Sequence, residues 1–171
     1  MASEKKSIRI EVAKELAEKV CKELEQWCEK IEIAGSIRRK KPIVHDIDLI
    51  GIPKEEYTRE FVAQKFCSMG QKVMVSGFTK SSIVKDGIQI DLNLNARNQG
   101  NYGSLLLHFT GSAGSNMKLR TVAKKKGYML NQYGVYALNE DGSTRECIAG
   151  ATEESVFEVL GLAFVPPERR D

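Results

Sequence analysis

Asp46 and Asp48 stand in the segment Val44-His45-Asp46-Ile47-Asp48-Leu49-Ile50, with the first acid ten residues after Ser36. Branched apolar residues alternate with the acids, the pattern of a β-strand. In a strand, residues i and i+2 share a face about 6.6 Å apart. Both carboxylates therefore point one way, and Ile47 and Leu49 point the other. Two like charges on one face repel unless something neutralises them. A pair of divalent cations about 3.5–4 Å apart does so, and such pairs drive phosphoryl transfer. A solvated edge strand carries the same two-acid spacing, so the surrounding residues must decide between the two.

Those surroundings are basic. Arg38-Arg39-Lys40-Lys41 lies just before the paired acids, and cations beside a carboxylate site suit a phosphate-bearing substrate better than a bare ion store. Net charge is only +3, but residues 92–139 contain no Asp or Glu while carrying Arg97, Lys118, Arg120, Lys124, Lys125 and Lys126. A basic tract of that length suits a polyanionic partner. Gly35 lets backbone N–H groups approach a phosphate closely, and Ser36 and Arg39 can hydrogen-bond its oxygens.

The elements that must hold these residues read as follows. Val12, Leu16, Val20, Leu24 and Trp27 recur at helical spacing and predict a helix over 8–30, with Cys21 and Cys28 as small core residues on it. A short strand (31–34), a turn at Gly35-Ser36, a short helix (37–41) and the acid-bearing strand (44–52) follow. A second helix runs over 58–69 and stops at Gly70. Strands are expected at 72–75, 79–85 and 88–94, with Asp86-Gly87 as a hairpin turn. In the last strand Gln89, Asp91 and Asn93 share a face. Asp91 becomes a third carboxylate of the site if this strand neighbours the Asp46 strand. Beyond an Asn- and Gly-rich join at 96–104, helices are expected at 102–108, from Ser112 to Lys126, and at 153–160. A small hairpin, Tyr128–Leu130 with Gly134–Leu138, lies between the last two.

With 171 residues, 42% of them hydrophobic, the chain is long enough for one good core or two small subdomains. No apolar run reaches the 18 or so residues of a membrane span. The start, Met-Ala-Ser-Glu-Lys-Lys, lacks the apolar stretch of a secretory signal. Cys21, Cys28, Cys67 and Cys147 have no metal-type spacing, which fits a reducing intracellular setting, cytoplasm or nucleus, with no membrane partner.

In order along the chain stand Gly35-Ser36-Ile37-Arg38-Arg39, Asp46-x-Asp48, Asp91, His108-Phe109-Thr110-Gly111-Ser112 and Leu130-Asn131-Gln132-Tyr133-Gly134. Together they resemble the X family of DNA polymerases, whose palm has the nucleotidyltransferase fold. The first three blocks mark the wider nucleotidyltransferase superfamily, and the last two narrow it to the polymerases. The resemblance covers nearly the whole chain and suggests a minimal member without the lyase or helix-hairpin-helix domain, similar to a small viral polymerase X. It implies an α+β fold: a palm with a mixed β-sheet and flanking helices over residues 1–102, then a small helical carboxy-terminal subdomain with a short hairpin over 103–171.

The resemblance also implies roles. Asp46, Asp48 and Asp91 would be the catalytic acids and hold two Mg2+ ions, for which Mn2+ substitutes, with Asp91 helping to activate the primer 3′-hydroxyl. Gly35, Ser36 and Arg39 would hold the triphosphate of a deoxynucleoside triphosphate. Phe109 and Gly111 would pack on its sugar, with His108 and Asn116 completing the nucleotide site. Arg120 would face the template, with Lys118, Lys124 and Lys125 on DNA phosphates. The implied activity is template-directed DNA synthesis by a monomer on gapped or primer–template DNA, filling short gaps in base excision repair. An alternative keeps the fold and makes the chain a template-independent transferase acting on RNA or another acceptor. Departures from the family pattern fall at His45, Gln89, Asn93, His108 and Ala113.

Overall fold

A computed structural model describes residues 5–97 and 101–171. The chain divides into two compact units, residues 1–97 and 98–171, so the division falls just ahead of the expected 102/103 join. Helix formation resumes at Tyr102.

The elements of the first unit are β1 (Ile8–Arg9), α1 (Ile10–Leu24), β2 (Cys28–Ile33), α2 (Gly35–Arg38), β3 (Ile43–Val44), β4 (Ile47–Pro53), α3 (Arg59–Cys67), β5 (Lys72–Ser76), β6 (Lys80–Lys85) and β7 (Ile88–Leu94). Five strands form a mixed sheet in the order β2-β4-β7-β6-β5. Only β4 and β7 run parallel; the other pairs in this sheet are antiparallel. The alternation read in the sequence is the reason for the sheet's two-sidedness. Ile47, Leu49, Ile90 and Leu92 are fully buried in one core, while Asp48, Asp91 and Gln89 take the opposite face. Helix α1 covers the apolar face with Ala13, Leu16, Ala17, Val20, Cys21 and Leu24, a stripe at spacings of three and four. Thr58 caps α3 by accepting from Phe61 N at 3.0 Å. Asp86 and Gly87 both take positive φ, the two-residue turn that matches strand twist and closes β6 on β7.

Helix α1 is shorter than its apolar spacing predicts. It ends at Leu24, and Cys28 lies on β2, because after a turn the same apolar residues serve a strand that pairs with β4. Trp27 still packs on this core, from the turn rather than from a helix. The two-residue ribbon β1–β3, which aligns Ile8 with Val44, has no counterpart in the sequence reading.

The second unit contains α4 (Tyr102–Thr110), α5 (Ala113–Lys125), β8 (Tyr128–Asn131), β9 (Gly134–Leu138), β10 (Thr144–Ala149), α6 (Glu153–Val159) and a final 3-10 turn, Pro167–Arg169. Its core joins Leu107, Leu119, Ala123, Val135, Val156, Phe157 and Leu160. Ser112 caps α5 as expected, accepting from Ser115 N at 3.2 Å. The expected hairpin is a three-stranded meander, because Asp141-Gly142 turns the chain back and β10 pairs with β9.

Arg170, 1% exposed, ties the carboxy-terminal tail into this core. Its guanidinium meets the Glu153 carboxylate at 2.5 Å, donates from Nε to Val165 O at 2.8 Å and lies over the rings of Phe157 and Phe164. Deleting one partner of a buried ion pair leaves a desolvated charge and costs about 3–5 kcal/mol. Arg170→Met is therefore expected to lower the melting temperature of the second unit sharply, and thermal unfolding followed by circular dichroism checks it.

Candidate active site

The parallel pairing of β4 with β7 places Asp48 directly opposite Asp91. Asp46 stands in the bend one residue ahead of β4 rather than on the strand expected over 44–52, so the three acids come from β4, from β7 and from the residue that leads into β4. Gly35 closes the site from the β2 side. Ala34 N donates to Asp48 O at 2.8 Å, and the chain then turns at Gly35 with φ +60°. A Cβ on Gly35 would stand 2.2 Å from Asp48 Oδ2, so only glycine allows both the turn and the carboxylate. Ser36, Arg39, Asp46 and Asp48, together with Lys5 and His45, line one open cavity.

The electrostatics are those of a crowded acid site. Burial, then the charges of Asp46 and Asp91, push the Asp48 carboxyl up to about 7, against the pull of Lys5 and Arg39. Lys5 Nζ donates to Asp46 Oδ2 at 2.6 Å, and that hydrogen bond holds the Lys5 ammonium above its ordinary range. Gln89 Nε2 donates to Asp91 Oδ1 at 3.0 Å. Among the described residues no three His, Cys, Asp or Glu side chains form a ready metal-ligand group. In kind, the donor set fits a hard divalent cation: carboxylate oxygens on β4, on β7 and just ahead of β4, with the Asp48 carboxyl pushed up by burial and then by its neighbours' charge.

Lys5 was not among the site residues suggested by the sequence. The β1–β3 ribbon is what brings it 41 positions along the chain to Asp46. A Lys-Lys pair at the amino terminus carries no spacing signal, so only that pairing reveals it.

The remaining sequence-predicted residues lie in the second unit. His108 and Phe109 sit on the last turn of α4 with their rings edge to face, centroids 4.7 Å apart. Gly111 follows α4 with φ +68°. Asn116 and Arg120 lie one turn apart on α5, and both reach back to His108. Asn116 Nδ2 donates to His108 O at 2.8 Å, and an Arg120 Nη2 lies 2.9 Å from His108 Nδ1. A guanidinium only donates, so His108 Nδ1 accepts and the imidazole is neutral. Burial, then the Arg120 charge, lower the His108 pKa. Together with Ser104, Leu107, Leu130 and Asn131 these side chains line a small cavity. Lys118, Lys124 and Lys125 project into solvent from α5. Arg97, the first cation of the acid-free tract, is instead drawn to Glu55 and Glu29 in the first unit, at 2.8 and 3.4 Å.

Comparison with known proteins matches both units. A family model described as DNA polymerase beta thumb fits residues 105–171. The DNA polymerase/3′-5′ exonuclease PolX of Bacillus subtilis is 32% identical over 146 residues, which are 83% of this chain and 24% of that protein. The repair DNA polymerase X of African swine fever virus (isolate Pig/Kenya/KEN-50/1950) is 29% identical over 146 residues, 82% of this chain and 80% of that one. The chain thus spans about a quarter of the bacterial relative but most of the viral one. The fold matches that of Leishmania infantum polymerase beta in a ternary primer–template complex, with TM-score 0.79 and 23% identity over 97% of this chain and 77% of that one. Sequence similarity that runs from the acid-bearing strands through the thumb module, to relatives named as polymerases X, makes this chain a member of the X family of DNA polymerases.

Proposed function

We propose that the chain adds deoxynucleotides to the 3′-hydroxyl of a DNA primer under the direction of a template, filling short gaps in repair. The observation that carries this reading is the register of Asp48 opposite Asp91, with Asp46 two residues before Asp48. Asp46, Asp48 and Asp91 would hold two Mg2+ ions, which supply charge neutralisation for phosphoryl transfer and are replaceable by Mn2+. The residues of the chain do the rest. Ser36 and Arg39, in the same cavity as Asp46 and Asp48, hydrogen-bond the triphosphate. Gln89 holds one oxygen of the Asp91 carboxylate, which leaves the other to act on the primer hydroxyl. In the second unit Phe109, with Gly111, takes the sugar, while His108 and Asn116 take the rest of the nucleoside. Arg120 faces the template, and Lys118, Lys124 and Lys125 contact DNA phosphates. The relatives support the substrate, since they include a viral repair DNA polymerase X and a polymerase beta in primer–template and gap complexes. Among the described residues no helix is long and apolar enough to cross a membrane. We place the protein inside the cell as a monomer.

A second reading, template-independent transfer to RNA or another acceptor, draws on Arg120, which is engaged by His108 rather than presented alone. Primer extension with and without a template strand separates the two. Extension is expected only with template and divalent ion, with the complementary nucleotide preferred. Equal extension of single-stranded DNA or RNA would transfer the proposal to the second reading. Binding to gapped DNA should weaken with salt, log affinity against log salt falling by about 0.9 for each phosphate neutralised. Flat salt dependence would remove the α5 lysines from the DNA surface.

A further inference from the structure

A second cavity, of about 260 Å3, adjoins the acid site in the first unit. Lys5, Lys6, His45 and Lys72 line it, together with the apolar side chains of Ile8, Met74 and Val84. Lys5 and His45 line both cavities, while Ser36 and Arg39 line only the acid one. The basic side chains come from separate parts of the chain. The β1–β3 ribbon brings Lys5 and Lys6 to it, and the start of β5 brings Lys72. Among the described residues no carboxylate lines this cavity, whereas the larger groove along α1, with Lys19, Lys22 and Lys85, also contains Glu23. The ammonium groups of Lys6 and Lys72, beside the Lys5 that Asp46 already holds, attract a polyanion rather than an isolated apolar ligand.

Position selects which polyanion. Lys72 pairs with Val84, and Val84 pairs with Gln89, two residues before Asp91 on β7. Lys72 therefore lies two strand spacings from β7, about 10 Å across the sheet. A nucleotide strand whose end is held at Asp91 runs on past that distance, whereas a triphosphate gathered at Ser36 and Arg39 stays with the acids. We propose that this cavity binds backbone phosphates of the nucleic-acid strand whose 3′ end lies at Asp91, through Lys6 and Lys72, with Lys5 at the shared wall. The assignment rests on the polymerase reading above and adds a strand contact in the first unit.

The test is a Lys6→Ala/Lys72→Ala double variant beside a Lys19→Ala/Lys22→Ala control that removes the same charge from α1. A fluorescent primer–template duplex is titrated at several salt concentrations, and extension is measured in parallel. The double variant is expected to bind about tenfold more weakly at low salt, its log–log salt slope shallower by about 1.8. The control should match wild type within about twofold, and both variants should keep the wild-type circular dichroism spectrum. A double variant that binds like wild type, or a control that loses as much, overturns the cavity assignment while leaving the polymerase intact. A raised KM for nucleotide with unchanged duplex affinity also overturns it, handing the cavity to the triphosphate. Wild-type protein that neither binds nor extends the duplex refutes the polymerase reading itself.

Discussion

Asp48→Asn is expected to stabilise the metal-free protein at pH 8 and at the same time to remove nucleotide addition. Asp48 is a carboxyl whose folded-state pKa, about 7, lies above its ordinary value of 3.8. The folded protein therefore holds the Asp48 proton more tightly than the unfolded chain does. The sign follows from linkage: stability is full below the ordinary carboxyl range and falls as pH rises towards 7, where Asp48 ionises against its neighbours. A shift of that size corresponds to a penalty on the order of 4 kcal/mol once Asp48 is charged. Asparagine occupies the same space without the charge, so the variant should melt several degrees above wild type at pH 8 in a chelator, and level with it near pH 4. Added divalent ion should raise the wild-type melting temperature at pH 8 and have much less effect on the variant. Thermal unfolding at both pH values, with chelator and with Mg2+, checks all of this. A variant less stable than wild type at pH 8 would mean that neither burial nor the neighbouring acids penalise the Asp48 charge.

Much of this site was legible because a strand has a period of two. Alternation alone set Asp48 apart from Ile47 and Leu49, and Gln89, Asp91 and Asn93 apart from Ile88, Ile90 and Leu92; Asp46, expected on the same strand as Asp48, stands instead in a bend between β3 and β4. Alternation did not say that β4 and β7 lie side by side, in parallel, with Asp48 and Asp91 in register. That register depends on the order of the sheet, a property of long-range packing. Helix α1 was read too long for a related reason: Trp27 and Cys28 keep the apolar rhythm while the backbone has already turned into β2. Strand β10 escaped because Thr144-Arg145-Glu146-Cys147 is largely exposed and shows little alternation, although Asp141-Gly142 ahead of it marks a turn. Lys5 escaped most completely. Its partner is set by a ribbon of two residues per strand, too short to leave any pattern in sequence.

Asp91→Ala should separate binding from chemistry. Asp91 is 8% exposed and takes one hydrogen bond, from Gln89. Removing a carboxylate from beside Asp48 relieves repulsion, so the variant is expected to fold at least as stably as wild type. Asp46 and Asp48 remain, as do Ser36 and Arg39, so nucleotide binding in the presence of divalent ion should stay within about threefold. The rate of addition should nevertheless fall at least about a thousandfold, about 4 kcal/mol of transition-state stabilisation. The loss is that large because the primer hydroxyl would no longer have a carboxylate beside it to favour its ionised form. Asp46→Ala should behave differently: it removes the acid that pairs with Lys5 and is expected to weaken nucleotide binding as well as transfer. Calorimetry of nucleotide binding, set against single-turnover extension for both variants, reads the contrast. An Asp91→Ala protein that still extends primers at near the wild-type rate would remove the third acid from the chemistry. The register between β4 and β7 would then be a feature of the sheet alone.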